Sequence, residues 1–142
     1  MNVSMLLIWL LGALAGSMLF FAIVVAPTVF RALPAEAAGS FLRRLFPLYF
    51  LWGLVMSLLC TITAIYATQL IVGSICGLVA ILFAYARYSL LARINRARDR
   101  KIARQGDGDA TADRQFKRLH LQSVLINAAQ LLLLIGISFV PD

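Results

Sequence analysis

Four polar side chains recur at helical spacing near the end of the chain. They lie in FKRLHLQSVLINAAQ, residues 116–130, which holds the only histidine, His120, followed by Ser123, Asn127 and Gln130. At about 100° per residue the four fall within an arc of roughly 80°, while Gln122 lies about 200° from His120. Imidazole changes charge between pH 5 and 8 and ligates metals, so His120 is the candidate proton carrier or metal ligand. The other three only donate and accept hydrogen bonds. A polar stripe of this kind either bonds neighbouring helices or faces a wet cavity. For the first role the expected partners are Thr61, Thr63, Tyr66, Tyr85 and Ser89. For the second, the stripe opens a ligand or proton site beside His120.

Metal chemistry is poorly supplied. One histidine can hold one axial position of a haem, which leaves a haem-associated protein as an alternative, but a bis-histidine haem within the chain is excluded. Zinc asks for three or four ligands, and no cluster of His, Cys or carboxylates provides them. Cys60 and Cys76 fall in apolar runs and read as small buried hydrophobes, not as a disulfide framework. A Cu(I) site would need more sulfur brought together.

Basic side chains form the second group. Arg43 and Arg44 precede one apolar run, and Arg87, between Tyr85 and Tyr88, is the deepest base of another. Arg87 is expected to anchor at the membrane surface with its aromatic neighbours. The alternative is an anion or headgroup site made with His120 and Arg43 or Arg44. Asn95 and Asp99 stand four residues apart in INRARD. Asp99 is expected to pair with Arg96, Lys117 or Arg118 and to clamp the ends of the third and fourth spans.

The elements that must position these groups are membrane helices. Of the 142 residues 62% are hydrophobic, and mean hydropathy is +0.90, well above the ~45–50% apolar share of soluble domains. Four apolar runs, about residues 3–30, 46–68, 70–91 and 119–140, can each cross a hydrocarbon core, and a chain in lipid must be helical to satisfy its own backbone. The first run has no positive segment before it and exceeds a signal peptide's apolar stretch, so it reads as a retained helix. The net charge of +7 is concentrated in the connections at about 31–45 and 92–118. That pattern suits anionic headgroups and not nucleic acid, and it puts both connections in the cytoplasm and both termini outside. The expected fold is therefore one domain, 1–142: an all-α integral membrane protein, an antiparallel four-helix transmembrane bundle.

Local signals add detail. SLLARINRARDRKIAR has no helix breaker before Gly106, so the third helix should continue into the cytoplasm. QGDGDATAD should be a flexible loop, and Asp113 should cap the return helix. Pro27 should kink or end the first helix, Pro47 should sit in the first turn of the second, and a short interfacial helix is expected over Pro34 to Arg44. Gly12 and Gly16, and Gly73 and Gly77, are small-xxx-small pairs, expected to be contacts inside the bundle or, alternatively, a homodimer face. SFLRRLFP and QFKRLHLQ echo one another, each an aromatic followed by bases at a cytoplasmic helix entry.

No acidic residue falls within the four spans, and the chain has no phosphate loop, nucleophile elbow, HExxH or paired carboxylates. Enzyme chemistry has no positive support. Three stretches, APTVFRALPAEAAGSFLRRLFPLYF, INRARD and FKRLHLQSVLIN, resemble the transmembrane protein 205-like family, a four-helix membrane domain of unknown function. The likeness rests on Pro27, Phe30, Ala38-Gly39, Pro47-x-Tyr49-Phe50, Asn95, Arg98-Asp99, His120, Ser123 and Asn127. It implies a small multi-pass protein of a bacterial inner membrane and supplies no reaction. The leading expectation is a non-enzymatic membrane protein, without a cofactor, whose basic cytoplasmic side binds a lipid headgroup, an anion or a protein. Arg43, Arg44, Asn95, Asp99, His120, Ser123, Asn127 and Gln130 would form that site. Membrane lipids, and a homodimer or another membrane protein, are the expected partners. The alternatives are a haem or redox protein using His120, and a small-solute transporter lined by Ser123, Asn127 and Gln130.

Overall fold

The computed structural model describes residues 2–103 and 110–140. Four long helices alternate in direction, and each is long and apolar enough to cross a membrane. The chain is thus a multi-pass integral membrane protein. Helix α1 runs Val3–Phe20, a π-helical turn Phe21–Val25, and Ala26–Ala32; α2 is Ala35–Tyr66; α3 runs Leu70–Tyr85, a π turn Ala86–Leu90, and Leu91–Ala103; α4 is Ala110–Gly136, closed by a 3₁₀ turn Ile137–Phe139.

The helices pack in a ring, α1 on α2, α2 on α3, α3 on α4 and α4 on α1, so α2 and α4 face each other across the diagonal. The 33–34 connection and the facing ends of α3 and α4, at Ala103 and Ala110, lie at one end, which carries the bases. The 67–69 turn lies at the other, with no charge. Leu33 is extended before Pro34, as the proline ring demands, and Pro34 starts α2. At the uncharged turn Thr68 adopts a left-handed backbone, φ 60°.

Prolines fall inside helices, where the sequence placed them at ends. Pro27 neither stops nor visibly breaks α1; the π turn Phe21–Val25 precedes it and absorbs its missing N–H and its ring. Pro47 lies well within α2, and Pro34 to Arg44 is the first part of that same helix, not a separate interfacial one. The carbonyl that Pro47 leaves without its helical donor is that of Arg43, one turn earlier. The Arg87 guanidinium, from the π turn of α3, donates to the Pro47 carbonyl and ties α3 to α2 beside the proline. Asp113 lies inside the first turn of α4, not ahead of it, and pairs with Lys117 at 2.7 Å. The part of the expected loop spanning 105–109 lies outside the described residues.

The dry core is built from Leu14 and Met18 of α1, Phe50, Met56 and Cys60 of α2, and Cys76, Val79 and Phe83 of α3, with Leu134 of α4. Cys60 and Cys76 are free, fully buried and in side-chain contact with each other. A Cβ placed on Gly73 would meet Ala64 and Ile65 of α2, and one on Gly77 would meet Thr61, at 3.4–3.9 Å, an ordinary packing distance. These two serve as the expected contacts. Gly12 and Gly16 do not: a Cβ on either would meet nothing within 4 Å. They lie roughly 160° from Leu14 at 100° per residue, on the outer face of α1.

Exposed apolar side chains form a band around the bundle. It runs from Leu48 to Ile65 on α2, Leu70 to Tyr88 on α3 and Leu121 to Phe139 on α4, each about 26 Å of helix at 1.5 Å per residue. That is close to the ~30 Å of a hydrocarbon core. Arg44, Arg93 and Arg118, all exposed, take over at its basic edge. All four helices continue past that edge.

Candidate functional site

Past the basic edge the ring opens around a cavity of about 530 Å³. Its walls come from all four helices. Phe30 closes α1. From α2 come Gly39, Leu42, Arg43, Phe46 and Phe50, a spacing of three and four that keeps them on one face. Leu91, Ile94, Asn95, Arg98 and Ile102 repeat that spacing on α3, and Phe116, His120 and Ser123 do so on α4.

The polar groups of the wall are largely tied to one another. Arg43 donates from both terminal nitrogens to the Asp99 carboxylate, at 2.7 and 3.1 Å. Asp99 therefore clamps α3 to α2, and not to α4 as the sequence suggested. The reason is position: Arg43 reaches it with the planar fork that fits a carboxylate, while Lys117 is engaged by Asp113. Arg98 lies flat over Gly39, so close that a Cβ there would overlap its guanidinium, and it donates to the Glu36 carbonyl at 3.4 Å. Glu36 also lines the cavity. Arg43 is thus paired with a carboxylate, while Arg98 meets only the backbone of Glu36, whose carboxylate is a second negative group at the wall. The end of the bundle is basic, but the cavity itself is balanced in charge and mainly apolar. His120 stands exposed at the mouth, its ring parallel to Phe116 with centroids 6.2 Å apart.

The expected stripe divides at this point. His120 and Ser123 line the cavity. Asn127, one turn deeper, accepts a 2.7 Å hydrogen bond from the Tyr49 hydroxyl across the α2–α4 diagonal. Gln130, 1% exposed, donates to the Val79 carbonyl at 3.3 Å. These two groups are used between helices. Their partners differ from those anticipated: Thr61 bonds the Ser57 carbonyl of its own helix, and Tyr66 is exposed. Gln122, off the stripe, donates to Tyr85 on α3 at 3.3 Å. Arg44 points away from the cavity wall, exposed. Arg98, Gly39 and the apolar wall were absent from the expected site. The i, i+4 run Leu42–Phe46–Phe50 was the available signal for that wall.

Below the cavity an aromatic layer seals the floor. Tyr49 stacks on Phe21 at 4.2 Å and meets Phe83 edge-on at 6.2 Å. The two π turns and Pro47 all meet here, through Phe21 and Arg87. Part of Arg87 is deep enough that its Nε is buried without a hydrogen-bond partner, and its guanidinium also lies over Tyr88 at 5.5 Å. Arg87 does not line the cavity. It is an aromatic-flanked cation at the band edge that also bonds the backbone of α2 at Pro47. Among the described residues no three His, Cys, Asp or Glu side chains come together in a way that could hold a metal ion.

Residues 9–103 match the family described as a domain of unknown function (DUF4149). The match takes in the first connection and INRARD, and ends before FKRLHLQSVLIN. No curated protein and no solved structure matches the chain.

Proposed function

The chain belongs to the DUF4149 family, and on that premise we propose that it is a non-enzymatic protein of a bacterial inner membrane that binds the headgroup of a membrane lipid in the cavity at its basic end. The observation that carries this is the convergence of Arg43, Asn95, Arg98, His120 and Ser123, from three helices, on one cavity just past the apolar band. The concentration of bases in the two connections at that end supports a cytoplasmic orientation for it. The likeness to the transmembrane protein 205-like family agrees with a multi-pass membrane role and adds no reaction. The site is narrower than the sequence suggested: Arg44 falls outside the wall, Asp99 acts through Arg43, and Asn127 and Gln130 lie beneath the floor. Balanced charge within the wall favours a lipid head over a free, multiply charged anion.

Native mass spectrometry of the protein released from phosphatidylcholine nanodiscs tests this. Phosphatidylglycerol should be retained preferentially, and Arg98→Gln should lower its retention about tenfold, the scale of one lost charge-assisted hydrogen bond. Equal retention of both lipids by both proteins overturns the reading. A coloured protein with a haem absorption band that disappears in His120→Ala would replace it with the haem alternative. A reporter fused after Asp142 that is active only in the cytoplasm would reverse the orientation.

A further inference from the structure

The cavity's composition does not match its depth. On α2, α3 and α4 the continuous run of exposed apolar side chains ends at Leu48, Tyr88 and Leu121, with Phe41 and Ile102 as single exposed apolar residues past it, while on α1 it continues to Phe30 and Leu33. Nearly the whole cavity lies beyond those positions: Leu42 and Phe46 on α2, Ile94 and Ile102 on α3, and Phe116 on α4. At 1.5 Å per residue, Ile102 stands about 20 Å past Tyr88 along α3. The exposed Arg44, Arg93 and Arg118 at that edge suit the headgroup zone and not hydrocarbon. A cavity in the headgroup and water zone gains nothing from phenyl and aliphatic walls unless something apolar fills it, since apolar surface left against water is unfavourable in proportion to its area.

The polar part of the wall points the same way. Arg43 is engaged by Asp99, and the wall carries one carboxylate, Glu36, besides Arg98, so a charged head finds hydrogen bonds from Arg98, Asn95 and His120 but little net positive charge. Affinity must come mainly from the apolar wall. A volume of about 530 Å³ is that of a pocket enclosing one drug-sized molecule, which suits one chain with its head.

We propose that the cavity takes a chain as well as a head: one acyl chain of the bound lipid follows its singly charged head into the protein, above the bilayer's hydrocarbon, and a single-chain carboxylate is its simplest probe. This rests on the headgroup reading and adds where the tail goes. The aromatic floor of Phe21, Tyr49 and Phe83 separates the held chain from the lipid-embedded half of the bundle.

The test follows the chain's far end. Palmitate carrying a diazirine at its terminal carbons is added to the full-length protein in phosphatidylcholine nanodiscs, photolysed, and the adducts are mapped by peptide mass spectrometry. Adducts should fall on the peptides holding Ile94, Ile102 and Phe116. They should drop at least fivefold in Ile94→Trp, which fills the cavity. Leu42→Trp fills the opposite wall and serves if the first variant does not fold. Adducts confined to band residues such as Ile81, Leu125 and Leu132, still reduced by Arg98→Gln, overturn the chain proposal and leave the head reading intact. Adducts confined to the band and indifferent to Arg98→Gln overturn both.

Discussion

Gly53 and Gly39 stand on the same helix, and each lies under a large side chain from α3. Gly53 carries the ring of Phe83, deep in the lipid-embedded half. Gly39 carries the guanidinium of Arg98, past the apolar band. The device is the same: a residue without a Cβ lets a bulky group lie on the backbone. What differs is the freedom of that group. Phe83 is fully buried and held on every side by the core. Arg98 is the far end of a flexible, partly exposed side chain. In lipid, helices associate through packing and hydrogen bonds and not through water exclusion, so the first contact should be rigid and structural. The second lies where water is available, so it can move, and its geometry matters to a ligand before it matters to the fold.

The largest expected effect breaks the buried member of this pair. Gly53→Ala drives a methyl into the Phe83 ring and should destabilise the bundle by about 1–3 kcal/mol, the usual range for overpacking a core. Reversible unfolding in mixed micelles measures it, and an unchanged midpoint would show that Phe83 has room to shift. Next comes the floor between the halves. Tyr49→Phe removes the hydroxyl that Asn127 accepts and should cost roughly 0.6–1.7 kcal/mol, as interhelical hydrogen bonds in membranes do. A Tyr49→Phe, Asn127→Leu double-mutant cycle isolates the pair, and additivity would mean the bond contributes nothing.

The ion pair at the basic end should matter less. Arg43 and Asp99 are each about half exposed, at 48% and 50%, so their coupling energy should stay below about 1 kcal/mol and shrink with added salt. A coupling that persists at high salt would mark the pair as buried by a neighbour. The smallest effect on stability is expected of Gly39→Ala, within about 0.5 kcal/mol, because the guanidinium can swing outward. The same substitution should lower phosphatidylglycerol retention as Arg98→Gln does. A large loss of stability with unchanged retention would reverse the contrast with Gly53.

The bundle was legible because hydrophobicity over twenty residues is a local property of the sequence. The stripe was legible in part. Periodicity put His120, Ser123, Asn127 and Gln130 on one face correctly, but it carries no information on what that face meets at each depth. Two of the four therefore line a cavity and two bond other helices. Pro47 was placed in a first turn and lies inside a helix for a related reason: rules for helix ends come from water-soluble helices, whereas a membrane helix tolerates an internal proline. The same holds for the outward face of Gly12 and Gly16, which the small-residue spacing alone could not orient.

The sequence by itself determined the solvent, the number of crossings and the concentration of charge at one end, since each follows from composition counted along the chain. Only the tertiary structure decided which cation meets which carboxylate and that the basic end encloses a mainly apolar cavity. Those depend on the relative height of residues on different helices. That height is set by where the helices begin and how they pack, which no spacing within one segment records.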